Sequence, residues 1–137
     1  MEADLLAAAD LRLLADIGFV ATGCGQHRAA SDIFEALAVL RPASAVPYLG
    51  LATTCLNQSR ADDAATVLER GRRLLAEEGT DEDRALLGAF HGVALHFAHR
   101  RAESDQVLRG IAQQEHHPAA SRIARGMLGM TNEGSNP

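Results

Sequence analysis

The chain contains no lysine and no tryptophan, a single tyrosine, four prolines and two cysteines among 137 residues. Each shortage excludes something. Cys24 and Cys55 are too few for a disulfide framework and lack a C-x-x-C spacing. Aromatic residues make up 4% of the chain, far short of what a β-sandwich or barrel uses. Thirteen arginines face 18 acidic residues, for a net charge of −5. That leaves no basic field for phosphates and few rings for base stacking, so nucleic acid is not an expected partner. Arg70, Arg72 and Arg73, and the pair Arg100-Arg101, lie among acidic neighbours and read as solvated helix faces. No uncharged apolar run approaches the ~20 residues needed to cross a bilayer. The start, Met1-Glu2-Ala3-Asp4, is acidic where a secretory signal has a basic segment. A soluble, cytoplasmic protein without membrane insertion is expected.

What is present is alanine. There are 26 of them, and alanine is the best helix former. Length fits one domain with a real core. The tetratricopeptide signature W-x2-L-G-x2-Y, then A-x3-F, then P, recurs over roughly 34 residues. With Pro42 as the closing proline, Leu14 takes the Trp position, Ile17-Gly18 the Leu-Gly pair, Ala21 the Tyr, and Ala30 and Phe34 the A-x3-F. Thirty-four residues on, Tyr48, Leu51-Ala52, Cys55, Ala64 and Leu68 repeat the pattern. A degenerate third copy follows a step of 40, with Gly88, His91-Gly92, Ser104 and Leu108, the extra length being placed in a polar turn over Glu77–Asp83. Gly18, Ala30 and Gly92 are the small residues that permit close helix contact, and the two cysteines are expected to be buried free thiols.

Helical periodicity supports this register. Ala30, Ile33, Phe34 and Leu37 share one helix face, as do Val107, Leu108, Ile111 and Ala112, and Ala120, Ile123, Ala124, Met127 and Leu128. Gly23-Cys24-Gly25 and Asn57-Gln58-Ser59 break hairpins, Thr80 with Asp83 forms a capping pair, and Pro118 opens the last helix. The expected fold is all-α, a short tetratricopeptide-like solenoid of three hairpins in one domain, 1–130. Its repeats cover about 11–44, 45–80 and 81–117, with a capping helix at 118–130 and a flexible tail at 131–137. Helices are predicted at about 4–23, 27–41, 45–57, 61–77, 81–99, 102–114 and 118–129.

Catalysis finds no support. His91, His96 and His99 have no HExxH frame and no carboxylate one turn away to complete a metal site. His116-His117 reads as an inter-helix turn, and Asp62-Asp63 and Glu77-Glu78 as solvated helix ends. Gly23-Cys24-Gly25 follows no strand and precedes no Lys-Ser/Thr, so it is not a phosphate loop. No enzyme activity, metal or cofactor is expected.

In such hairpins the first helix of each pair lines the concave side. The inward positions carry Ala15 and Phe19 in the first repeat, Val46, Leu49 and Leu56 in the second, and Leu86, Ala89, Val93 and Phe97 in the third. A carboxylate clamp built on lysines is impossible here. One reading makes these side chains an apolar groove for an amphipathic helix of a partner. The other has three short repeats curling so tightly that the same side chains pack on one another or on the last helix.

The segment Leu13-Leu14-Ala15-Asp16-Ile17-Gly18-Phe19-Val20-Ala21-Thr22-Gly23, the helix containing Phe34, and Ser121-Arg122-Ile123 with Gly126-Met127 resemble the needle-subunit chaperones of bacterial type III secretion (YscG/PscG type). Phe34-Glu35-Ala36-Leu37 and Tyr48-Leu49-Gly50-Leu51-Ala52 are similar to chaperones of type III translocators (SycD/LcrH type). The first resemblance implies a cytoplasmic chaperone that sequesters an amphipathic helix of a needle subunit and so prevents premature polymerisation. It also implies a second small helical co-chaperone; the apolar groove itself leads one to expect self-association when no client is bound. The second implies an extended client segment in the same concavity. A general tetratricopeptide scaffold for protein–protein interaction, or a regulatory adaptor, is a further class.

Overall fold

The computed structural model describes residues 8–113 and 118–135. Among these all regular structure is helical: α1 (Ala8–Gly23), α2 (His27–Leu40), α3 (Val46–Asn57), α4 (Ala61–Glu78), α5 (Asp81–Phe97), α6 (Arg101–Ala112) and α7 (Pro118–Ser135). Positions 4–7 of the expected first helix and the turn at His116-His117 lie outside the described residues.

One turn closes all three hairpins. At Gly25, Ser59 and His99 the backbone is left-handed, with φ of 78°, 60° and 62°. In each case that residue's N–H donates to the carbonyl three positions back, on Thr22, Leu56 and His96. The next N–H, on Gln26, Arg60 and Arg100, donates five positions back, to Ala21, Cys55 and Leu95. This double closure satisfies carbonyls that a helix end leaves free. The spacing of the three turns matches the two repeat steps read from the sequence.

The A-x3-F positions form the spine of the core. Ala30, Ala64 and Ser104 are fully buried, as are Phe34, Leu68 and Leu108. Ser104 replaces alanine without leaving a polar orphan, because its hydroxyl donates to the Gly92 carbonyl at 2.7 Å. Glycines admit the large members. A Cβ on Gly18 would stand 2.7 Å from the Phe34 ring, and one on Gly50 only 2.2 Å from the same ring. Phe34 is thus held between α1 and α3. Gly71 receives Tyr48 and Gly92 receives Leu108 in the same way.

The odd-numbered helices make an inner row. The backbones of α1 and α3, α3 and α5, and α5 and α7 lie close together, whereas among the described residues those of α2 and α4, and of α4 and α6, do not; α2 and α4 meet through side chains such as the ion pair of Glu35 with Arg70 at 3.5 Å. α7 takes the place of a fourth inner helix, where Ala120 and Ala124 pack with Ala85, Ala89, Leu108 and Ile111. Inner helices are also joined by a buried hydroxyl pair, Thr22 Oγ1 to Thr54 Oγ1 at 3.0 Å.

Four expectations are corrected. The extra residues of the third step are not in a polar turn over Glu77–Asp83 but in helix. α4 and α5 have 18 and 17 residues against 14 and 12 in α2 and α3, with only Gly79 and Thr80 between them. Thr80 accepts the Asp83 N–H at 3.1 Å, and Asp81, Glu82 and Asp83 suit the first turn of α5. Arg84 covers the end of α4 by donating to the Leu75 and Gly79 carbonyls. With both ends satisfied locally, no longer loop is needed.

The other three concern a helix end and two side chains. α7 runs to Ser135, beyond the predicted end at 129 and into the 131–137 stretch read as a tail. No proline interrupts it before Pro137, and each residue added to an existing helix brings a further hydrogen bond. Cys24 is exposed at the end of α1 rather than buried, whereas Cys55 is half-buried against the central cluster, where burial raises its thiol pKa. Apart from these corrections, Ile17, at the Leu-Gly position, is exposed together with Leu13 and Val20, because no described helix lies outside α1.

Candidate functional site

A cleft of about 350 Å³ opens on the inner row between α1 and the start of α3. Leu11, Ala15 and Phe19 of α1, Leu37 at the end of α2, and Val46 with Pro47 of α3 supply apolar walls. Arg12, Asp16, Arg41 and Ser44 add polar groups. Sequence order explains the α1 wall: Leu11, Ala15 and Phe19 follow one another at four-residue steps on one helix face. Phe19 rests edge-on against the clamped Phe34, with ring centroids 4.8 Å apart at 61°. It keeps 39% of its surface exposed, as does Val46.

The opposite wall is fixed by polar contacts. Tyr48, buried in the central cluster, donates its hydroxyl to the Pro42 carbonyl at 2.9 Å. Burial is the largest influence on that phenol and raises its pKa, so it remains a donor. Asp83, on the first turn of α5, accepts the Ala45 N–H at 3.1 Å. The segment between α2 and α3 is therefore tied at both ends, and Ser44, Val46 and Pro47 are presented to the cleft from a fixed backbone.

The expected inward residues divide. Ala15, Phe19 and Val46 come together here. Leu49 and Leu56 are half-buried against the central cluster, and Leu86 and Val93 are half-buried on α3's neighbour, α5. Ala89 is fully buried. Its inward position is covered because α7 packs where a fourth inner helix would stand. Leu56 and Phe97 meet at a different place, a hollow shared with Ser59, Ala61 and His99 near the hairpin turns. The inner row is thus part groove and part core.

Of the histidines singled out in the sequence, His91 and His96 serve packing, and His99 is exposed in the third hairpin turn. His91 receives Arg72 Nη1 on Nδ1 at 3.0 Å, joining α4 to α5. Burial, and then the neighbouring Arg72 charge, lower its pKa. His96 meets the Phe97 ring edge-on at 5.8 Å. Among the described residues no three of His, Cys, Asp and Glu converge as a metal site would require. No described helix is long and apolar enough to cross a membrane.

A solved structure has this fold. It is the type III secretion translocator chaperone SycD of Yersinia enterocolitica, with a TM-score of 0.69 and 17% sequence identity. The likeness covers 92% of this chain and 93% of that one. At such identity it is a likeness of fold. No family model matches the chain, and no curated protein is similar to it in sequence.

Sequence reasoning missed Leu11, Arg12, Asp16, Leu37, Arg41, Ser44 and Pro47 as lining residues. Arg12 was within reach, since it holds in the first repeat the inward position that Val46 holds 34 residues later in the second. Arg41 and Ser44 were not, because only the folded connection between α2 and α3 brings them to α1.

Proposed function

We propose that the chain is a cytoplasmic chaperone of the type III secretion kind, which holds an apolar segment of a secreted client in the inner cleft until export. The observation that carries this reading is the cleft itself, lined mainly by apolar side chains with Arg12, Asp16 and Arg41 among them, on the inner row of a fold shared with SycD. Its volume is at the small end of the roughly 300–1,000 Å³ typical of ligand pockets. That suits a few side chains of a peptide. The fold likeness supports a translocator-type client over the needle subunit expected from the first sequence resemblance. The exposed Leu13, Ile17 and Val20 on the outer side of α1 then suit a second partner, the small helical co-chaperone implied by that resemblance, or self-association in its absence.

Co-expression with a translocator and, separately, with a needle subunit from the same secretion system tests the proposal. The native chain is expected to co-elute with the translocator. Phe19→Glu and Val46→Glu should keep their helical signal, since both side chains are partly exposed, and should lose the client. Burying an unpaired carboxylate under a client costs several kcal/mol, and about 4 kcal/mol is roughly a thousandfold in affinity. A folded variant that still holds its client removes the cleft from consideration. An increase in helical signal on binding would favour a helical, needle-type client over an extended segment.

A further inference from the structure

We propose that the edge of the solenoid between the second and third hairpin turns is a separate docking site for an acidic peptide segment with a large apolar anchor, contributed by a partner protein. This does not rest on the inner-cleft reading. Phe97, the last residue of α5, is 58% exposed, more than any other described aromatic residue. On one side it walls a hollow of about 390 Å³ with Leu56, Ser59, Ala61 and His99. On the other it walls a hollow of about 450 Å³ with His96, His99 and Arg101. The His96 ring, inclined at 83° to that of Phe97, steadies it as a ridge between the two.

Charge identifies the occupant. The chain carries a net charge of −5, yet no carboxylate lines either hollow. Asp62 and Glu103 are both held by Arg100, at 3.6 and 2.8 Å, which leaves the adjacent Arg101 without an ion pair among the described residues. Arg101 is moreover the first residue of α6, where the helix dipole disfavours a cation. His99 occupies the left-handed turn position that the first hairpin gives to Gly25, at a conformational cost that glycine avoids. Two residues unfavourable for the fold thus stand beside an exposed phenylalanine. A carboxylate beside an apolar anchor would pair with Arg101 while the anchor covers Phe97 and Leu56. The site is distinct from the inner cleft, because Val46 and Leu56 lie at opposite ends of α3, about 15 Å apart along the helix.

The test uses short fluorescein-labelled peptides carrying one phenylalanine flanked by glutamates, glutamines or lysines, read by anisotropy against the full chain. The glutamate peptide should bind at least about tenfold more tightly than the other two, and more weakly as salt is added. Phe97→Ala and Arg101→Glu should each weaken it about tenfold or more with unchanged helical signal. Arg101→Glu should also raise Tm slightly, which separates a binding role from a structural one. Phe19→Glu should leave the probe's affinity unchanged. The proposal is overturned if the glutamate peptide shows no preference or no binding up to millimolar concentration. It is also overturned if Phe19→Glu abolishes binding, placing the probe in the inner cleft, or if Phe97→Ala converts a dimer to monomer, making a second copy the occupant.

Discussion

Gly50→Ala isolates the contact on which the first two repeats depend. In an open helical position this substitution stabilises by about 1 kcal/mol through propensity. Here the new Cβ would stand 2.2, 2.3 and 2.4 Å from three carbons of the Phe34 ring, more than an ångström inside ordinary contact. The ring has little room to retreat, because its tip also lies against α1, where a Gly18 Cβ would be 2.7 Å from Cζ. Contacts this close put the overpacking cost in the upper part of its usual range, about 2–3 kcal/mol, which less the propensity gain leaves a net loss of about 1–2 kcal/mol. For a chain of this size that is a Tm lower by roughly 3–8 °C. Gly110→Ala is the control: nothing lies within 4 Å of its Cβ position, so Tm should rise. Urea unfolding of Gly50→Ala, Phe34→Leu and the double variant completes a cycle, in which the smaller side chain should recover at least about 1 kcal/mol of the Gly50→Ala loss. If Gly50→Ala stabilises as Gly110→Ala does, the clamp on Phe34 is refuted. Phe19 rests on the same ring, so Gly50→Ala should also loosen the inner cleft.

Replacing Ser59 or His99 with glycine should each stabilise by about 0.5–1 kcal/mol, read as a rise in urea midpoint, because both occupy the left-handed turn position. A lower midpoint for both would contradict the turn geometry. Stability should also depend on pH through His91, whose pKa in the folded chain is lowered from 6.5. Between that lowered value and 6.5 the unfolded chain binds the proton that the folded chain refuses, so stability is full above pH 6.5, declines as pH falls below it, and levels off once the folded form protonates too. His91→Asn keeps an acceptor for Arg72 and should flatten that slope; an unchanged slope would assign the dependence elsewhere.

How much could be read in advance follows from what each signal depends on. The repeat was legible because it is written in volume. A small residue four before a large one, opposite a glycine or alanine, fixes a hairpin whether the large residue is Phe34, Leu68 or Leu108. Even Ser104 fits once its hydroxyl finds the Gly92 carbonyl. Exposure was less legible, because it depends on neighbours that the pattern does not name. Ile17 and Leu51 hold the same repeat position, yet Ile17 is exposed while Leu51 is buried, since α1 has no described helix outside it. Ala89 and Ala15 hold the same inward position. Ala15 borders the cleft, and Ala89 is sealed beneath α7.

The lengthened hairpin of α4 and α5 shows why the candidate site was harder to foresee than the fold. Read as a loop insertion, the extra residues would be a surface variation with no bearing on the concave side. As helix, they advance the start of α5 until Asp83 reaches the Ala45 N–H at the head of α3. The same residue donates its own N–H to Thr80, so its backbone begins one helix while its carboxylate fixes the entry of another. Val46 and Pro47, which follow directly, form one wall of the inner cleft. The shape of a cleft between the first and second repeats is therefore set in part by the third. A substitution such as Asp83→Ala, remote from the cleft in sequence and outside its lining, would leave the Ala45 N–H without its partner and release the wall that carries Val46. Affinity at the inner cleft would then fall while Phe19, Leu11 and Ala15 remained in place, an effect that no inspection of the lining residues would anticipate.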